Sequence, residues 1–442
     1  MDAATSLKKK LALPLIVALI FILLFNVNLP NNNNKSIPKP SGPAGVCSLG
    51  ISEQTITPLK NTKHLLVSAY VDQRVKDLDI RIIGIFKRDS IQPLHCVFCC
   101  TNVLSKTTPA TILQHSDHFG FPFTTTDVMC QIPQNCKATR VTLLTTPDKE
   151  SASDSTWLPI RNQKSDRQKE ENMKFDFTVC ISNLFGDYNN VLQFQTNEIY
   201  KCKVVIYNTS CGPELDRLLQ NYSQEGFVEM VPWPIDKHLN PSRGWLHSEH
   251  GGDVHYFGQL TTLNECIYRS MERSRYVLLN DIDEIIMPYQ HKDLMSLMNT
   301  LQNQNPNTGV FLIENHTYPK KTFNQNKWGP LPQWNGVPGF DIMVHIYREE
   351  PNRNIYHPHK LIVQPRAVQQ TSVHDVLMMS ATKFKVPPDV CRIIHSPIRT
   401  PTDPPLDRLH VDTRLWDFKD KLLPNVIKVL RRAELLRSET QN

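Results

Sequence analysis

The sequence predicts an α/β domain with a largely parallel sheet, preceded by a small β-rich domain and an N-terminal transmembrane helix. Three observations predict it. Helix-then-strand patterns repeat from residue 175 onward, short β-branched runs between polar turns fill 61–160, and an apolar run starts just after the N-terminus.

The N-terminal run extends from Leu11 to Leu29, interrupted only by Asn26 and Asn28, and follows the lysines Lys8 to Lys10. At roughly 1.5 Å per residue it is just long enough to cross a bilayer. The lysines hold residues 1–10 in the cytosol, so 11–29 reads as an uncleaved signal anchor with all that follows in the lumen. No small-x-small cleavage site follows it. Residues 30–60, with Asn31 to Asn34 and several prolines, contain little that packs and read as a stem. The net charge of +6 is weak for this length, and no basic stripe interleaves with aromatics, so nucleic acid is excluded as a partner.

Eleven cysteines suit disulfides in an oxidising lumen. Cys96-x-x-Cys99 resembles half of a zinc site, but Cys130 and Cys136 have the wrong spacing for the other half. The odd total leaves at least one thiol unpaired or paired between chains. Sequons at Asn34, Asn208, Asn221 and Asn315 fit the same compartment.

HLLVSAYVD, IRIIGIFKR, LHCVFCC and ATRVTLLTT are the strand-like runs of the β-rich domain, 61–160. The charged stretch 161–174 is the expected linker. Beyond it, Phe177 to Leu184 and Cys202 to Tyr207 are continuous apolar runs, as buried parallel strands are. Glu214 to Tyr222 is a short helix before the strand Phe227 to Val231. The clearest helix runs from His255 to Ser274, with Tyr256, Leu260, Leu263, Ile267 and Met271 on one face. It leads into the strand Arg275 to Asn280.

Asp281-Ile282-Asp283-Glu284 follows that strand directly. In open α/β sheets ligands sit beyond the carboxyl ends of the strands, so these acids face the expected site. Carboxylates this close repel one another unless something positive neutralises them. Hard oxygen ligands suit Mn²⁺ or Mg²⁺, with diphosphate oxygens and water completing the shell. The string alone proves little, since Asp77-Leu78-Asp79 repeats it in a polar turn. Context separates the two: only the second copy ends a buried strand preceded by a long amphipathic helix. A competing chemistry is phosphoryl transfer of the haloacid-dehalogenase kind, in which a strand also ends in Asp-x-Asp; it normally wants a small β-branched or hydroxyl residue two places on, which Ile285 meets only loosely.

Among the later histidines, His374 is the first candidate for a third metal ligand and His395 the second, with His357 and His359 nearby in sequence. Lys360 is a candidate for the departing phosphates. Glu314, after the strand-like GVFLI, and Asp341 are candidates for the base that takes the acceptor's proton.

The runs DFTVCISNLFGDYNN, HYFGQLTTLNECIYRSMERSRYVLLNDIDEIIMP and YHPHKLIVQPRAVQQTSVHDV resemble glycosyltransferase family 92 over roughly Phe175 to His395. The resemblance implies a GT-A-like, Rossmann-like glycosyltransferase domain over 175–442; together with the anchor, the expected address is that of a single-pass type II Golgi membrane protein. It also implies inverting transfer from a UDP-sugar, UDP-galactose being favoured, to a glycan acceptor. Carried over by position, Asp281 and Asp283 are the metal-binding carboxylates and His374 the later histidine. Asn183, Asp236 and Gln259 fall at the donor pocket, Trp233 where the chain returns to it, and Asn264 and Cys266 on the same helix as Gln259. The segment VLQFQTNEIYK is shorter than the family pattern. The alternative expectation is a catalytically inactive, membrane-anchored glycan-binding or adhesion protein with a transferase fold.

Overall fold

The computed structural model describes residues 52–72, 74, 79–101, 103–148, 152, 154–162, 173–188, 202–321, 343, 345–354, 359–397 and 404–436. The expected anchor, the stem up to Ile51, most of the linker, the segment VLQFQTNEIYK and Asp341 lie outside them. No helix among the described residues is long and apolar enough to cross a membrane. Val46–Asn442 forms one compact unit.

Its first part is two antiparallel sheets. One contains β1 (Leu65–Asp72), β2 (Asp79–Lys87) and β4 (Phe123–Gln131); the other contains β3 (His95–Cys100) and β5 (Ala138–Leu144). Alternate residues Leu66, Ile80, Ile82 and Phe86 meet Phe98, Val141 and Leu143 between the sheets. The disulfides Cys96–Cys130 and Cys100–Cys136 lie here, the first joining β3 to β4 across the sandwich.

Among the described residues the second part is a nine-stranded mixed sheet, its ninth strand the short Thr382–Lys385 beside Thr308–Thr317. Four strands run parallel in the order β8-β7-β6-β9: β6 (Phe175–Leu184), β7 (Lys203–Asn208), β8 (Val228–Pro232) and β9 (Ser274–Asn280). The sheet continues through β12 (His359–Val363), antiparallel to β9, then β11 (Thr308–Thr317), β13 (Cys391–His395) and β10 (Glu284–Pro288). The expectation of a largely parallel sheet thus holds for one half only. Pairings of the later strands join segments tens of residues apart, which local pattern does not encode.

Both faces of the parallel half are buried, so its strands are continuously apolar. Val204, Ile206 and Leu278 face the helix α1 (Pro213–Gln224), with Leu215, Leu218 and Leu219. Val205, Tyr207, Val277 and Leu279 face the helix α2 (Gln259–Ser270), with Leu260, Leu263 and Ile267. Leu65, Val67, Ile85 and Phe123 of the β-rich part close the same core from the far side of α2.

That double cover explains a departure from the expected helix. All of α2 except Arg269 is buried, its polar residues included. Thr261 meets the Thr125 hydroxyl at 2.8 Å, and Asn264 donates to the Thr371 carbonyl at 2.8 Å. The helix also starts at Gln259 rather than His255. His255–Gly258 forms a 3-10 turn in which Tyr256 (φ 37°), Phe257 (φ 57°) and Gly258 (φ 77°) are left-handed, which an α-helix does not accommodate.

Candidate active site

β6 and β9 are adjacent parallel strands, with Ile181 opposite Asn280, so their carboxyl ends open at one edge. Asp281, Ile282 and Asp283 make the turn that leaves β9, closed by the Glu284 amide donating to the Asp281 carbonyl at 3.3 Å. β10 then carries the chain away. A cleft of about 430 Å³ lies over this edge, with Ser182, Asn183, Gln259, Asp281, Asp283 and His395 among its lining residues.

Within this edge the charges are arranged around a buried hub, Glu284. Its Oε2 accepts from the Asp281 amide at 3.1 Å and lies 3.3 Å from Lys360 Nζ; its Oε1 accepts from Asn315 at 2.9 Å. Burial pushes the Glu284 carboxyl up and the Asp281 charge adds to it, against the pull of Lys360. Lys360 donates to Asp281 Oδ2 at 2.7 Å. Burial alone raises the Asp281 carboxyl, but Lys360 and the nearby imidazoles outweigh it and hold it below the usual range. Burial opposes the Lys360 charge, yet Asp281 and Glu284 keep that ammonium protonated.

The Asp281 side chain is still 41% exposed on the cleft side, and its Oδ1 lies 3.4 Å from Gln259 Nε2. Gln259 Nε2 also reaches the Ser182 hydroxyl at 3.0 Å, while its buried Oε1 has no protein partner. Asn183 donates to the Tyr256 carbonyl at 2.7 Å, pinning the left-handed turn to the cleft wall. Asp283 Oδ2 lies 3.5 Å from His395 Nε2. Burial lowers the His395 pKa, but the Asp283 contact and the other carboxylates raise it overall.

Several expected residues sit elsewhere. Asp236 is exposed on a one-turn 3-10 helix and does not line the cleft. Trp233 is fully buried and donates to the Phe257 carbonyl at 2.8 Å. Cys266 is bonded to Cys180, tying α2 to β6. His374 directs Nδ1 to the His359 carbonyl at 3.0 Å and stacks 5.6 Å from Trp245; burial, then Lys360, lowers it to about 4. Glu314 is buried beside His316 at 3.1 Å, Arg353 at 2.7 Å and Lys385 at 3.7 Å. Burial raises that carboxyl, but Arg353 first and then the other cations bring it down to about 2, a weak proton acceptor. The sequon at Asn315 lies in β11 with its amide spent on Glu284.

Among the described residues no three His, Cys, Asp or Glu side chains form a ready-made cation cage. The donor chemistry nevertheless fits a hard divalent ion. Asp283 and His395, 3.5 Å apart, are a carboxylate and an imidazole of the kind that would hold such an ion. Asp281 Oδ1 faces the same space, and the unpartnered Gln259 oxygen marks an unmet polar demand there. Glu284 and Asn315 were legible only as one more acid and a sequon; nothing in the local sequence signals that they meet.

The profile of Glycosyltransferase family 92 matches residues 175–415, over half of the chain. The chain is 23% identical over 220 residues to a glycosyltransferase family 92 protein of Caenorhabditis elegans, covering 49% of this chain and 41% of that protein. It is 23% identical over 249 residues to the β-1,4-galactosyltransferase galt-1 of the same nematode, covering 54% of each. It thus spans about half the length of the curated relatives it matches.

Proposed function

The chain belongs to glycosyltransferase family 92, and on that premise we propose that it moves a hexose from a UDP-sugar onto a hydroxyl of a glycoprotein or glycolipid glycan, with inversion at the sugar carbon. Galactose is the favoured hexose because a relative bears that activity in its name. The observation that carries the reading is the Asp281–Asp283 turn facing the cleft at the carboxyl ends of β6 and β9. The same arrangement supports a GT-A-like reading of the parallel half. Disulfides within both parts favour a lumenal, Golgi address.

Asp281 and Asp283 are the proposed ligands of Mn²⁺ or Mg²⁺, together with one imidazole, His395 or His374. When bound, the ion supplies charge neutralisation for the departing diphosphate, an effect of several kcal/mol. The chain's own residues do the rest. Lys360 and Glu284 hold the Asp281 backbone and carboxylate in place, and Gln259 and Asn183 offer polar groups to the nucleotide. A base must take the acceptor's proton. Of the two carboxylates expected for it, Asp341 lies outside the described residues and Glu314 is tied to two cations, Arg353 and Lys385.

Donor hydrolysis tests this reading. With Mn²⁺ present, UDP-galactose should be consumed faster than UDP-glucose, and Asp283→Asn should slow the reaction by about a hundredfold. Consumption that ignores chelation and the Asp283 change would contradict it. An inactive glycan-binding protein would consume neither donor.

A further inference from the structure

Beside the cleft, aromatic rings from both parts of the protein converge on His255. Phe119 stacks on it at 4.3 Å, Trp245 meets it edge-on at 4.8 Å and Phe121 at 5.8 Å. Trp245 also packs 4.9 Å from Phe119 and nearly parallel to His374 at 5.6 Å. His255 is buried with neither ring nitrogen hydrogen-bonded, so it serves as a flat wall.

Two features set this cluster apart from ordinary packing. Trp245 and its neighbour Leu246 are 36% and 37% exposed, two of the few large apolar side chains left in water among the described residues. The backbone is also strained there. Phe119 (φ 52°), Tyr256 (φ 37°) and Phe257 (φ 57°) all adopt left-handed conformations unusual for aromatic residues. Such strain costs on the order of 1–3 kcal/mol per residue and collects at ligand sites.

The cluster is continuous with the cleft. Tyr256 lines the cleft and lies next to His255, and His374, the ring under Trp245, directs Nδ1 to the carbonyl of His359, the residue before Lys360, whose ammonium donates to Asp281. A transferase must hold its second substrate within reach of the donor sugar. The exposed patch is about one indole and one leucine wide. That suits one sugar ring and falls far short of the roughly 800 Å² per partner of a stable protein interface. A pyranose has one face of C–H bonds, which packs on an exposed aromatic ring while its hydroxyls reach polar neighbours.

We propose that Trp245, framed by Phe119, Leu246 and His374, is the stacking platform for a pyranose of the glycan acceptor. The proposal rests on the transferase reading for its choice of ligand. It gives the β-rich part a role, since Phe119 builds the platform from that side.

The test applies wild-type protein, Trp245→Ala and Trp245→Phe to an array of defined N-glycan, O-glycan and glycolipid oligosaccharides. Wild-type protein should be retained on at least one class. Trp245→Ala should bind that class at least about tenfold more weakly, and Trp245→Phe, which keeps an aromatic face, within about threefold of wild type. Equal retention of Trp245→Ala, or no retention of wild type on any glycan, overturns the platform. Melting temperatures of the variants establish that they fold. Stabilisation of wild-type protein by UDP with Mn²⁺ reports the donor cleft separately. Glycan retention without that stabilisation sinks the donor reading and leaves the platform standing; the reverse result sinks the platform alone.

Discussion

Lys360 shows how one buried charge organises the site. It is 3% exposed and neutralises both Asp281 and Glu284, so its removal leaves two carboxylates facing each other. Replacing one partner of a buried pair costs about 3–5 kcal/mol; the exposure of Asp281 brings the expectation here to roughly 1–3 kcal/mol. Lys360→Met should therefore lower the melting temperature, and Mn²⁺ should restore more of the loss in the variant than it adds to wild type. Thermal melts with and without the ion check this, and an equal gain in both proteins would show that Lys360 does not neutralise the ion's carboxylates. At this scale the sequence was informative about kinds of residue and poor on their partners. Asp281 and Asp283 were legible because an apolar strand delivers them. Glu284, Asn315 and Lys360 come from three different strands, and only the pairing of β10, β11 and β12 within one sheet brings them together.

The helix α2 carries the next level of the account. Glu265 is buried on it and accepts from Tyr70 at 2.6 Å and from Arg269 at 2.8 Å, with Tyr207 as a further donor. These contacts join α2 to β1 and to β7. Burial raises the Glu265 carboxyl, but Arg269 foremost brings it down to about 2 from an ordinary value of 4.5. On acidification the unfolded chain takes up this proton first. The stability that Glu265 supplies is therefore complete above about pH 4.5 and is lost as pH falls towards 2. Glu265→Gln should cost on the order of 3 kcal/mol at pH 7, and the gap to wild type should close between pH 4.5 and 2. Denaturant titrations across that range measure it; a gap that stays constant would show that the charge is not the source. The apolar stripe of α2 was legible from its spacing, whereas nothing in that spacing signals that Thr261, Asn264 and Glu265 are buried as well. Thr261 and Glu265 are covered because the β-rich part packs on them, and Asn264 because it bonds to Thr371, contacts between segments more than a hundred residues apart. The helix start was missed for a related reason: the apolar spacing runs on through Tyr256, where the backbone turns left-handed.

For the whole molecule, the β-sandwich and the mixed sheet share a core through α2, and both border the region where chemistry is expected. The parallel half supplies the carboxylates of the cleft, and the sandwich supplies Phe119 of the aromatic platform. Strand-like runs were legible in each part because burial on both faces leaves long apolar stretches. Of the mixed half only GVFLI in β11 was legible as a strand, since antiparallel returns such as β12 depend on long-range pairing. The family membership fits this division, since its profile covers the mixed sheet and not the sandwich. The central claim, that the Asp281–Asp283 turn holds a metal-bound sugar nucleotide, is tested most directly by thermal melting with UDP and Mn²⁺ together. At about a hundredfold excess over Kd, a ligand of the native state adds about 2.7 kcal/mol of stability. The account predicts a clear upward shift for wild-type protein with the pair, little with UDP alone, and none for Asp281→Asn or Asp283→Asn. No shift in wild type, or the same shift in the variants, would contradict it.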